Sequence, residues 1–143
     1  DVILVDTTRV QLVPGTAVAQ LFAANIGVVA PGVNVRRGWV AVDAVVDGIA
    51  MRLVNTHLES GRSPQIIGLR ALQAQQLMGA IGGAARVALL GDFNDVPGSP
   101  MYSVVRGAGY TDAWGAMRPE SEGFTCCQAE RLDNAVTADA FTL

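Results

Sequence analysis

An apolar run, Ala88-Leu89-Leu90, ends in a glycine and then presents carboxylate, carboxamide and carboxylate in Gly91-Asp92-Phe93-Asn94-Asp95. Starting at Arg86 and closed by Pro97 and Gly98, a stretch this short and apolar reads as a buried strand. Asp92 and Asn94 stand two residues apart at its carboxyl end, where strand periodicity points both side chains the same way. That pattern makes a small polar site at the mouth of a sheet. The same residues also suit an ordinary turn, because Asp and Asn favour turns, and taken alone the turn is the simpler reading.

A second stretch has the same design. Arg52-Leu53-Val54-Asn55-Thr56-His57-Leu58-Glu59 is an apolar strand that ends in polar groups and holds the only histidine of the chain. Trp39 to Val46 and Ala50 to Thr56 read as two β-branched strands joined through Asp47-Gly48, a hairpin signature that delivers His57 to its far end. Ser63 followed by Pro64 supplies a cap and a first helical position. From Gln65 to Ile81, Ile66, Leu69, Leu77, Ala80 and Ile81 recur at helical spacing, with Gln73 and Gln76 interrupting the stripe, and Gly82-Gly83 ends it. A strand, helix, strand order thus connects His57 to Asp92.

The rest of the chain is less sharply patterned. Asp1 to Val5 and Arg9 to Val13 read as short strands, the second stopped by Pro14-Gly15. Thr16 to Asn34 reads as loop with a strand near Ala19 to Ala24. Ser99 to Arg106 suits a short helix and Tyr110 to Trp114 a brief strand, followed by loop from Met117 to Thr125. No internal repeat, low-complexity tract or interdomain linker divides the chain.

Composition narrows the classes. The 143 residues suit one domain, and with half of them apolar and 16% charged the chain is globular rather than disordered. No stretch approaches the ~18 uninterrupted apolar residues of a membrane span. The opening at Asp1 shows no basic signal-peptide region, so the numbering is expected to begin inside a longer protein, in a compartment left open. All ten basic residues are arginine, and thirteen acidic ones bring the net charge to -3. An acidic chain has no general attraction for phosphate backbones, so any phosphate contact must be local. Cys126 and Cys127 are adjacent and cannot form a long-loop staple. No cysteine or histidine cluster suits structural zinc, and no obligate protein partner is evident.

Together, Asn55-Thr56-His57-Leu58 and Gly91-Asp92-Phe93-Asn94 resemble the endonuclease/exonuclease/phosphatase superfamily, which includes DNase I-like nucleases, neutral sphingomyelinases and inositol-polyphosphate phosphatases. Phe124-Thr125-Cys126-Cys127-Gln128 is similar to a segment of a bacterial branch of it. The resemblance implies an α+β, four-layer α/β/β/α sandwich, with residues 1–143 as its middle and later part. It also implies hydrolysis of a phosphate ester, a phosphodiester ahead of a monoester, by attack of water with Mg²⁺ or another divalent cation. The substrate could be a lipid, a small molecule or a nucleic acid.

On that resemblance Asp92 binds the metal and positions or activates water, since a hard cation takes oxygen ligands. Asn94 donates to the scissile phosphate, His57 contacts the phosphate or assists the leaving oxygen, and Asn55 braces the site and its substrate. Glu59 and Asp95 are expected on a solvated rim. With Asn94 at an exposed strand end, its replacement by alanine should slow turnover and leave folding little affected. An upstream glutamate and a terminal Asp-His pair of the family have no match here: Arg131-Leu132-Asp133-Asn134 reads as linker, and Asp139 as no substitute. Two alternatives stand beside this reading, a nuclease and a noncatalytic binding domain that keeps the fold.

Overall fold

The computed structural model describes residues 1–121 and 123, so Cys126, Cys127, Arg131 to Asn134 and Asp139 lie outside the described residues. In chain order the elements are β1 (Val10–Leu12), β2 (Val18–Leu21), β3 (Gly27–Ala30), β4 (Val33–Val35), β5 (Gly38–Val46), β6 (Ile49–His57), α1 (Pro64–Ile81), β7 (Val87–Asp92), α2 (Pro100–Gly107) and α3 (Ala113–Met117). A five-stranded sheet runs β1-β5-β6-β7, and β2 also pairs with β5. β1 and β2 therefore share one edge of β5, β1 against its Val46 end and β2 against its Gly38 end.

The hairpin expected at Asp47-Gly48 forms with Val46 opposite Ile49. Both turn residues have positive φ, 48° and 81°, as the tightest two-residue turn requires. The connection from β6 through α1 returns the chain parallel to β6, pairing Arg52 with Val87 and His57 with Asp92. α1 starts where the sequence places it, with the Ser63 hydroxyl accepting from the Ile66 N–H and Pro64 in the first turn.

Alternation gives this sheet two unlike faces. Trp39, Ala41 and Val54 point toward α1 and α2 and join Phe22, Leu58, Ala74, Leu77, Ile81 and Met101 in one buried core. Val40, Val42, Leu53, Asn55, His57, Leu90 and Asp92 belong to the opposite face by the same alternation. Among the described residues no helix closes over Leu90, which is 57% exposed. The described residues thus build a five-stranded sheet with helices packed on one face, and a separate two-stranded sheet, β3-β4. None of their helices is long and apolar enough to cross a membrane.

Three expectations are corrected. Asp1 to Val5 is not a strand: it passes over the open face, where the Val2 carbonyl accepts from the Asn55 amide at 3.0 Å. Residues 27–35 form the β3–β4 hairpin, turned at Pro31-Gly32, inside the segment expected to be mostly loop. Tyr110 to Trp114 is not a strand either, because Asp112 caps α3 by accepting from the Gly115 N–H at 3.0 Å. A good cap overrides the weak β preference of its neighbours.

Candidate functional site

His57 and Asp92 are the last residues of β6 and β7, and parallel register sets them side by side. The imidazole Nε2 lies 3.5 Å from Asp92 Oδ2, and the two side chains are 42% and 47% exposed. An imidazole and a carboxylate thus share a solvent-reached position at the carboxyl ends of parallel strands, where α/β sheets commonly bind ligands.

Gly91 makes this approach possible. A Cβ there would fall 1.9 Å from the Thr56 carbonyl oxygen, and the residue has φ of 136°, so no side chain fits without moving a strand. The glycine of the Gly-Asp pair is therefore a requirement of strand packing beside His57. The Asp92 carbonyl accepts from the Leu58 N–H at 2.9 Å, which extends the strand pairing past His57.

Asn94 departs from the strand pattern. β7 ends at Asp92, and Asn94 adopts φ of 51°, a conformation asparagine tolerates better than most residues. Its N–H donates to Asp92 Oδ1 at 2.9 Å, and its amide Nδ2 donates to the Leu58 carbonyl at 2.8 Å. The side chain expected at an exposed strand end is only 7% exposed. One of its two amide hydrogens is committed to the loop that follows His57. Asn55 stands on the same face as His57, two residues earlier, and braces Val2.

Glu59 and Asp95 are corrected from solvated rim to buried pairs. Asp95 accepts from Arg70 Nε at 2.9 Å, with both side chains under a tenth exposed. Glu59 Oε1 lies 3.4 Å from Arg37 Nε, while its Oε2 is buried with no hydrogen-bond partner among the described residues. Arg70 Nη1 also donates to the Glu59 and Gly61 carbonyls, and Gln73 accepts from the Glu59 N–H and donates to the Ala24 carbonyl. The sequence reading missed Arg37, Arg70 and Gln73. The signal present was spacing: Arg70, Gln73, Ala74, Leu77 and Ile81 form the buried stripe of α1.

Two concavities flank these groups. A cleft of about 350 Å³ is lined by His57, Arg36, Arg37, Gln20, Trp39 and Asp1. A larger one of about 1120 Å³ lies along β7 toward α2 and takes in neither His57 nor Asp92. Its Tyr102 and Tyr110 hydroxyls are pushed above the ordinary phenol range, chiefly by burial. Far from the site, the Arg52 guanidinium hydrogen-bonded to Asp43 holds that carboxyl below its usual range.

No protein-family model matches the sequence, and no curated protein matches it. Solved structures do. An endonuclease/exonuclease/phosphatase from Beutenbergia cavernae is 24% identical over 72% of this chain and 29% of its own, with a TM-score of 0.57. The human Nocturnin catalytic domain with bound sulfate is 20% identical over 79% of this chain and 42% of its own, at 0.55. D. rerio TDP2 complexed with a single-strand DNA product is 15% identical over 89% of this chain and 50% of its own, at 0.54. The chain spans half or less of the length of each, and at these identities the likeness is one of fold. His57 and Asp92 therefore sit in a mixed α/β fold that is similar to part of the fold of these three structures.

Proposed function

We propose that the protein containing this chain is a divalent-metal-dependent hydrolase of phosphate esters, phosphodiesters foremost. The observation that carries this reading is the open pairing of His57 with Asp92 at the ends of adjacent parallel strands. The fold supports the reaction class: one structural neighbour holds a single-strand DNA product and another holds sulfate, a tetrahedral oxyanion like phosphate.

Among the described residues no group of three or more His, Cys, Asp and Glu side chains gathers as a metal site. A hydrated Mg²⁺ needs no such cage, since it is commonly held through one or two carboxylates plus substrate phosphate. Asp92 offers a half-exposed carboxylate of that kind. Bound there, the cation would offset charge on the phosphoryl oxygens.

The chain's own groups have separate tasks. Asp92, oriented through Oδ1 by the Asn94 N–H, positions the attacking water and accepts its proton. His57 donates a hydrogen bond to a phosphoryl oxygen or a proton to the leaving oxygen. Asn94 holds the Leu58 carbonyl with one amide hydrogen and offers the other to the phosphate. Asn55 keeps the approach to His57 in place. A nuclease is the second reading, favoured by the DNA product in the TDP2 neighbour.

The test is turnover of bis(p-nitrophenyl) phosphate, sphingomyelin and plasmid DNA with Mg²⁺, then with excess EDTA. Hydrolysis abolished by EDTA and restored by Mg²⁺ is expected. Undiminished turnover in EDTA refutes the metal-dependent mechanism.

A further inference from the structure

We infer that Arg70 is a positioning residue, a buried guanidinium on α1 that sets the loops after His57 and Asp92 against each other. The inference rests on the reading of those two side chains as the reacting pair. Arg70 is 4% exposed. Its Nε donates to Asp95 Oδ2 at 2.9 Å, three residues beyond Asp92. Its Nη1 donates to the carbonyls of Glu59 and Gly61 at 2.9 and 3.1 Å, just beyond His57. One rigid planar group thus joins both loops from the helix side, while the Asn94 amide joins them from within.

The chemistry calls for arginine rather than for any cation. A guanidinium offers five donors in a fixed fork, so the distance between its acceptors is set by the group itself. A lysine ammonium is a compact point charge and cannot span the same acceptors. The alternative role is a plain staple of the fold. A buried ion pair is weak evidence for that, since desolvation consumes much of the Coulombic gain. What the fork adds is geometry, and the geometry it adds is the relation of the His57 loop to the Asp92 loop.

The experiment uses the protein containing this chain, with Arg70→Lys and Arg70→Gln, and with Asp95→Ser in case the arginine variants do not fold. Asp95→Ser releases the β7 loop while Arg70 keeps its carbonyl acceptors. Bis(p-nitrophenyl) phosphate with Mg²⁺ is the substrate, and the active fraction is normalised to folded protein. Loosening of the reacting groups should lower kcat about 10- to 100-fold, with KM held within about threefold because uniform binding is untouched.

A second readout does not depend on turnover. The His57 imidazole signals, assigned by their loss in His57→Gln, should shift in Arg70→Lys relative to the unsubstituted protein at fixed pH. Folded variants with unchanged kcat, or losses that only track the folded fraction, overturn the inference, as do unmoved His57 signals. Absence of turnover in the unsubstituted protein on every phosphodiester would instead overturn the functional reading, and the imidazole signals would still decide the role of Arg70.

Discussion

Asn94→Ala is the perturbation whose cost the structure states most directly. The asparagine amide is the hydrogen-bond donor to the Leu58 carbonyl, and its residue is 7% exposed. Removing it leaves a buried acceptor unsatisfied, at about 1–3 kcal/mol. The backbone adds a second cost, because φ is 51° and alanine lacks the polar side chain that lets asparagine occupy that region, at about 1 kcal/mol. The sum is about 2–4 kcal/mol, which at ~3 °C per kcal/mol for a domain of this size lowers Tm by roughly 6–12 °C. Asn94→Gly separates the terms, since glycine loses the same bond and accepts the same φ. It should fall between the unsubstituted protein and Asn94→Ala. Urea unfolding followed by fluorescence of the buried Trp39 measures both. Activity, corrected for folded fraction, should also drop on the order of 10²- to 10³-fold if the second amide hydrogen serves the phosphate. An alanine variant within ~0.5 kcal/mol of the original refutes the packing argument, that being the range of a featureless surface change.

Gly91→Ala should be destabilising beyond the usual range for a point change, on the order of 4 kcal/mol, because the new Cβ meets the Thr56 carbonyl oxygen at 1.9 Å. A thermal melt superimposable on that of the original protein would show that β6 and β7 need no such approach. The open sheet face predicts self-association of the 143-residue chain on its own, since Leu90, Ile49 and Leu21 are 57%, 48% and 46% exposed. Sedimentation velocity should find oligomers that Leu90→Glu reduces, and a monomer at every concentration would contradict the expectation.

The parts of this fold that were legible in the sequence are those set by short-range rules. Asp47-Gly48 fixes a hairpin because its turn needs two positive φ values in a row. Ser63-Pro64 fixes a helix start. Between them these signals suffice to bring His57 and Asp92 together, because the strand after α1 pairs with the strand before it. The β3–β4 hairpin was not legible, and the reason is burial: both strands are largely exposed, so no alternation of apolar and polar residues records their period. Asn94 was misplaced for a different reason. Strand periodicity was extended two residues beyond β7, whereas the Asp92 carboxylate turns the backbone by accepting from the Asn94 N–H.

Glu59 and Asp95 show the limit of reading charge as exposure. Their partners, Arg37 and Arg70, stand 22 and 25 residues away in sequence, so neither pairing leaves a local trace. Yet α1 held a clue in register. Arg70 and Gln73 occupy the same stripe as Ala74, Leu77 and Ile81, and polar groups in a buried stripe imply polar acceptors opposite them. Here those acceptors are backbone carbonyls and a carboxylate of the site loops, so the polar turns of α1 face the end of the sheet that bears His57 and Asp92. The apolar turns, Leu77 and Ile81, serve the core. One helix therefore divides its buried face between stability and positioning, and the change from apolar to polar along it marks where the sheet stops and the site begins.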